Sequence, residues 1–229
     1  MEEKVRQLSE VVGHLTRHEV FQLGPLTVTS TVVNTWIVMV VMFTVIFLLT
    51  RRLSERPKGA QTILELVIEF VYSLIDAGMG KAGRKYLPIV GTLFIYIIFL
   101  NLSWFIPNFV PPTTDVMTTA ALGITTIIIV QLMGIREQGL GGYLAHFVKP
   151  MPFMAPLNII EEFVKPFSLA IRLFGNMFGE KMVVTIFFIL VPLFAPIPLM
   201  ALGVLMGGIQ AFIFTLLTVT YLATATHGH

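Results

Sequence analysis

The chain has 229 residues, 55% of them hydrophobic and only 12% charged, with a formal net charge of +2. A soluble core of this size needs no such apolar excess, whereas a membrane-embedded bundle does, and the small net charge gives no basis for nucleic-acid binding. Cysteine is absent, which excludes disulfides and thiolate metal sites.

The N-terminal segment 1–30 carries Glu2, Glu3, Lys4, Arg6, Glu10, Arg17 and Glu19, without the basic segment, apolar run and small-residue cleavage site of a signal peptide. Val32 to Leu49 holds no charge and is long enough to cross a hydrocarbon core of roughly 30 Å; it ends at Arg51, Arg52, Arg56 and Lys58. Residues 60–77 differ. Glu65, Glu69, Tyr72 and Asp76 recur three or four apart on one face, with Ile63, Val67, Phe70, Val71 and Leu74 on the rest, a pattern for an amphipathic helix lying along the membrane surface. A second span, Leu87 to Ile106, stops at "PNFVPP", where prolines break helices, and a third runs from Val116 to Gly134, making 87–134 a helical hairpin. Ile135 to Pro156 has the glycine and proline content of a loop. Two longer segments, Leu157 to Leu190 and Pro198 to Thr224, fill 157–224; both exceed a perpendicular crossing, so strong tilt is expected.

The expected fold is therefore all-α, a single polytopic membrane domain with about five embedded helices plus one interfacial helix. Lys and Arg are concentrated between Arg51 and Lys85 and again between Ile135 and Lys165, and are absent from "PNFVPPTTD" and "VPLFAPIP". The basic loops are assigned to the cytoplasm, which puts the N-terminus outside and the C-terminus inside. No repeat at a period of roughly 20 to 50 residues is present, and the halves do not mirror each other, which weakens an inverted-repeat transporter.

Within the first long segment Glu161, Lys165, Ser168, Arg172, Asn176 and Gly179 share one helical face. Such a stripe at membrane depth implies protein or water beside it rather than lipid. Arg172 is the costly member, at about 2.5–3.5 kcal/mol or more near the bilayer centre, and a guanidinium cannot escape by losing its proton. Apolar residues continue on both sides of it, which disfavours snorkelling to an interface. Glu180 lies eight residues on, about 12 Å along the axis, so the counterion is expected on another helix or another chain. On the last segment Gly203, Gly207, Gln210, Phe214, Thr218 and Tyr221 form a second face, and Gly203 with Gly207, like Gly175 with Gly179, is a small-xxx-small pair.

Blander readings stand beside these. Glu180 with Lys181 suits a solvated pair, Gln210 and Asn176 suit interhelical hydrogen bonding, and Glu161 and Glu162 suit the dipole at a helix start. The glycine pairs serve either close helix packing or a smooth surface for a moving partner. His14 and His18 have zinc-helix spacing, but Leu15 stands where the metalloprotease pattern needs glutamate, so no metal is expected.

At "KPFSLAIRLFGNM" (Lys165 to Met177), followed by "IQAFIFTLLTVTYL" (Ile209 to Leu222), the chain resembles subunit a of the F-type ATP synthase. That subunit is the membrane stator facing the rotating ring of c subunits. "FLNLSWFIPNFVPPTTDVMTTAAL" (Phe99 to Leu122) resembles the family's central hairpin, and the organisation matches over nearly the whole chain. The resemblance implies that Arg172 is the essential stator charge, that Asn176 and Gln210 line the proton path, that Ser168 lies on its cytoplasmic side, and that Asn101 is a polar site in the hairpin. It further implies a multi-pass protein of the bacterial cytoplasmic membrane, without catalytic residues or cofactor of its own. Its expected partners are the c ring, the b-subunit peripheral stalk, the lipid bilayer and the rest of the synthase. Glu180 is four residues after Asn176, where many members have their acid five after, and Gly203 replaces the histidine that some members place seven before the glutamine.

On this reading a carboxylate of each c subunit is the missing counterion. A carboxylate must be protonated before it turns into lipid, and Arg172 favours its ionised form and blocks a direct leak between two half-channels. The outer half-channel is expected past Glu180, Asn176 and Gln210 and the inner one past Ser168, Glu161 and Glu162. The competing classes are a stand-alone transporter whose Arg172 binds an anion, and a structural scaffold.

Overall fold

The computed structural model describes residues 19–23, 26–51, 59–106, 109–148, 155–190 and 196–227. Arg52, Arg56, Lys58 and Lys149, the His14 and His18 pair, Pro107 and most of the turn before Pro198 lie outside the described residues. A short antiparallel hairpin, β1 (Glu19–Leu23) with β2 (Leu26–Thr29), leads directly into α1 (Ser30–Thr50). The sequence pattern gave no sign of this pair.

Helix α1 turns Val38 and Met42 inward and leaves Trp36, Val40, Phe43, Phe47 and Leu48 exposed, a surface suited to hydrocarbon. Asn34 Nδ2 ties it to the bundle by donating to the Val110 carbonyl at 2.9 Å. Helix α2 (Ala60–Met79) is amphipathic as its spacing requires: Val71, Leu74, Ile75 and Met79 are buried, while Ile63, Leu66 and Phe70 stay exposed beside the acidic face.

The second expected span is a 3-10 turn (Lys81–Tyr86), α3 (Leu87–Leu102) and a further 3-10 turn at Ser103–Phe105. The hairpin then returns as α4 (Val116–Val148), whose first turn is held by Asp115 Oδ1 accepting from the Met117 N–H at 2.9 Å. Here the structure corrects the sequence reading. Ile135 onward is not an irregular loop; helix continues to Val148 and changes direction at Gly139, where φ is +72°. Glycine takes that conformation without a Cβ penalty, so the chain turns there and helix resumes. Gln138 Nε2 donates to the Ala225 carbonyl at 2.8 Å and Lys85 pairs with Glu137 at 2.5 Å, fixing the turn against its neighbours.

The two long segments are α5 (Ala155–Leu190) and α6 (Pro196–His227), of 36 and 32 residues. At roughly 1.5 Å per residue each exceeds a 30 Å hydrocarbon core. Helix α6 is central: Ala211, Phe214, Val219 and Leu222 meet Val71 and Ile75 of α2, Val90, Phe94 and Ile97 of α3, Ile127 and Val130 of α4, and Leu169 and Leu173 of α5 in one buried core. Among the described residues four stretches are long and apolar enough to cross a membrane: α1, Lys81–Phe105, the first part of α4, and α6. Helix α5 packs along α4 and α6 in the same bundle, and its charged stripe is what sets it apart from those four. The chain is an all-α multi-pass membrane protein with one small terminal hairpin.

Candidate functional site

Arg172 lies near the middle of α5 on its exposed side. It has no hydrogen bond or ion pair with any described residue, and Gly175 and Gly179, one and two turns further, face open space. The surrounding surface is apolar: Phe163, Phe167 and Ile171 of α5 are exposed, as are Leu202, Leu205 and Ile209 of α6. A permanent cation with no acceptor among the described residues, set in a greasy and locally side-chain-free surface, calls for a partner in water or on another chain.

Polar groups gather at both ends of α5. Toward its C-terminal end the Glu180 carboxylate packs on the Cα of Gly203, so closely that a methyl group there would stand 1.6 Å from Oε1 and 2.9 Å from the Trp104 ring. Only glycine leaves room for the acid. Both carboxylate oxygens are shielded and lack a hydrogen-bond partner among the described residues. Asn101, also buried, donates from Nδ2 to the Gly207 carbonyl at 3.0 Å and leaves its Oδ1 unpartnered. A cavity of about 160 Å³ opens between α3 and α6, lined by Ile98, Asn101, Leu102, Gly203, Val204 and Gly207, among others. It has room for several water molecules. Gln210 is buried one turn further along α6 with its Nε2 unpartnered. Asn176 spans from α5 to α6 through a long 3.5 Å contact from Nδ2 to the Met206 carbonyl. Unpaired buried amides and an acid beside a cavity are groups that water must satisfy.

The other end of α5 is arranged differently. Glu162 accepts from Gln131 Nε2 of α4 and pairs with Lys165, while Lys165 also lies 3.6 Å from Glu161 and over the Tyr221 ring of α6. Glu161 itself is exposed, with 65% of its side chain accessible, and Ser168 is half-buried one turn from Lys165.

The structure therefore brings Asn101 and Glu180 to one end of the bundle and Glu161, Glu162 and Ser168 to the other, with Arg172 between and Asn176 and Gln210 toward the Glu180 end. The α6 glycines at 203 and 207 serve close packing, whereas those of α5 at 175 and 179 do not. Sequence reasoning missed Gln131 and Trp104. Gln131 had a signal, as a lone amide in an otherwise apolar stretch; Trp104, in an aromatic-rich helix end, had none.

The family described as ATP synthase A chain matches residues 32–223. ATP synthase subunit a of Moorella thermoacetica is 60% identical over 216 residues, covering 94% of this chain and 99% of that protein. ATP synthase subunit a 1 of Syntrophotalea carbinolica is 45% identical over 85% of this chain and 84% of its own length, and ATP synthase subunit a 2 of Bradyrhizobium sp. is 41% identical over 92% and 95%. With the family matched across almost every described helix, the chain belongs to the ATP synthase A chain family, that of subunit a of the F-type ATP synthase.

Proposed function

We propose that the chain is the stationary half of a rotary ion pathway, non-catalytic by itself, which delivers protons to and from carboxylates on a neighbouring c-subunit ring. The reading rests above all on Arg172: an exposed, permanent cation midway along α5, without an ion pair among the described residues and followed within two turns by two open glycines. A ring carboxylate arriving at that surface supplies the missing counterion, and the bare glycine backbone lets the ring pass closely.

The outer route runs past Asn101, Glu180, Asn176 and Gln210, whose unpaired atoms and adjoining cavity favour water. The inner route runs past Ser168, Glu161 and Glu162. Arg172 lies between them, so a proton crosses only by riding the ring. A guanidinium–carboxylate attraction of roughly 4 kcal/mol at 4 Å and an effective dielectric of 20 would hold the ring against a membrane potential worth about 2.3 kcal/mol per charge per 100 mV. Exposure of Arg172 to water offsets that trap, which accords with its accessible position.

The same reading sets the chain in the bacterial cytoplasmic membrane, N-terminus outside and C-terminus inside, with the b-subunit peripheral stalk holding it against the ring. A stand-alone anion carrier would also use an exposed arginine, but the family match favours the stator. In reconstituted synthase, Arg172→Ala should abolish coupled proton flux, a loss of at least about a hundredfold, with the complex still assembled. Full coupled flux in that variant would falsify the assignment.

A further inference from the structure

The inner polar cluster sits at the weakest turn of α5. Pro166 lacks the N–H that would close on the carbonyl of Glu162, so the helix loses a bond just before the segment bearing Ser168 and Arg172. Helix α4 presses on the same turn, where a methyl group at Gly123 would lie 2.7 Å from the Pro166 carbonyl oxygen.

Side chains brace what the backbone has lost. Lys165, with only 11% of its side chain accessible, pairs with Glu162, and its ammonium lies 5.4 Å from the centre of the Tyr221 ring. Glu162 accepts from Gln131 of α4 through its other oxygen. Three helices are thus joined through one ammonium and one carboxylate. The space left among Gln131, Tyr143, Glu162, Lys165, Tyr221 and Thr224 is about 10 Å³, room for a single water.

We infer that Lys165 is a positioning residue, whose bonds to Glu162 and Tyr221 fix the direction in which the Arg172 segment leaves the Pro166 turn. The inference rests on the stator reading above. Arg172 is seven residues beyond Lys165, about 10 Å along the axis, so a change of about 10° at the turn displaces it by about 2 Å. Misplacement on that scale is enough to spoil a reaction that depends on two charges meeting. The cluster also sets two adjacent acids of the inner route apart: Glu162 is enclosed and held by Gln131 and Lys165, whereas Glu161 is exposed to water at the rim, 3.6 Å from Lys165.

The test uses the assembled synthase with all other cysteines removed, carrying spin labels at Val183→Cys of α5 and Ile128→Cys of α4, both exposed positions. Lys165→Met should shift or broaden the inter-label distance by more than about 2 Å and lower ATP-driven proton pumping about tenfold. Lys165→Arg, which keeps the charge, should restore both. Tyr221→Leu should disturb the distance and Tyr221→Phe, which keeps the ring, should not; this pair decides the matter if Lys165→Met fails to assemble. Lowered pumping at an unchanged distance would overturn the inference by making Lys165 part of the proton route, and so would undiminished pumping. A shifted distance together with normal pumping by Arg172→Ala would instead leave the positioning role standing and remove the stator reading.

Discussion

The two ends of α5 use the same residue types in opposite ways. At the inner end Glu162 pairs with Lys165 and accepts from Gln131, which leaves the Gln131 Oε1 as that cluster's one buried orphan and space for a single water beside it. At the outer end Glu180, Asn101 and Gln210 are just as enclosed, yet each keeps an atom without a partner, and a far larger cavity lies alongside. A satisfied buried network rigidifies, while an unsatisfied one carries a standing cost that only water or a transferred proton relieves. The comparison gives the inner cluster a bracing role beside its route and the outer one a more direct part in transport.

The sharpest way to break that assignment is Glu180→Gln. The substitution nearly preserves shape and removes the ability to gain and lose a proton, so assembly should survive while proton uptake falls at least about tenfold, in keeping with the loss of a positioned acid. Uptake is read from the rate of ATP synthesis driven by an imposed proton gradient in vesicles, normalised to assembled complex. A normal rate would make Glu180 a packing group and the two ends of α5 alike.

Gly203 offers a gentler and more geometric probe. Alanine there would stand 1.6 Å from the Glu180 oxygen, and because the obstruction is the tip of a flexible side chain, the acid rather than the backbone should move. Gly203→Ala should reduce uptake about threefold, and adding Glu180→Gln should cost little more, since both variants strike one group. Independent, multiplying losses in the double variant would mean that Gly203 acts by some other contact.

How much of this was legible beforehand depends on the physical range of each signal. Helix periods and apolar lengths are local, so α1, α2, α3 and the two long helices emerged with nearly their observed limits. Gly139 did not, because glycine-rich sequence reads as loop, and only contacts such as Gln138 with Ala225, far apart along the chain, hold helix on both sides of the turn. The stripe through Arg172 followed from spacing alone. That Glu162 is enclosed and Glu161 exposed did not, since adjacent residues on a helix point about 100° apart and their fates depend on what α4 and α6 present. Likewise Gly203 could be aligned with a family position but not recognised as the floor beneath Glu180, which is a matter of two helices meeting.

The smallest expected effect comes from a pair outside both clusters and serves as their control. Arg84 donates to Asp76 from Nε at 2.9 Å and from a terminal nitrogen at 2.5 Å, on the exposed rim between α2 and the turn before α3. That hydrogen bonding holds the Asp76 carboxyl below its ordinary range. A lowered carboxylate pKa in the folded state means that its contribution to stability is intact above the unfolded value of about 3.9 and is lost as the pH falls through that value toward the lower folded one. Being exposed, the pair is largely screened, and Asp76→Asn should change the thermal midpoint at neutral pH by no more than about 3 °C, with the difference from the parent vanishing on acidification. Pumping should be unaffected. If instead Asp76→Asn reduced transport as strongly as Glu180→Gln, charge at any polar position would matter equally, and the contrast between a paired end and an unpaired end of α5 would lose its force.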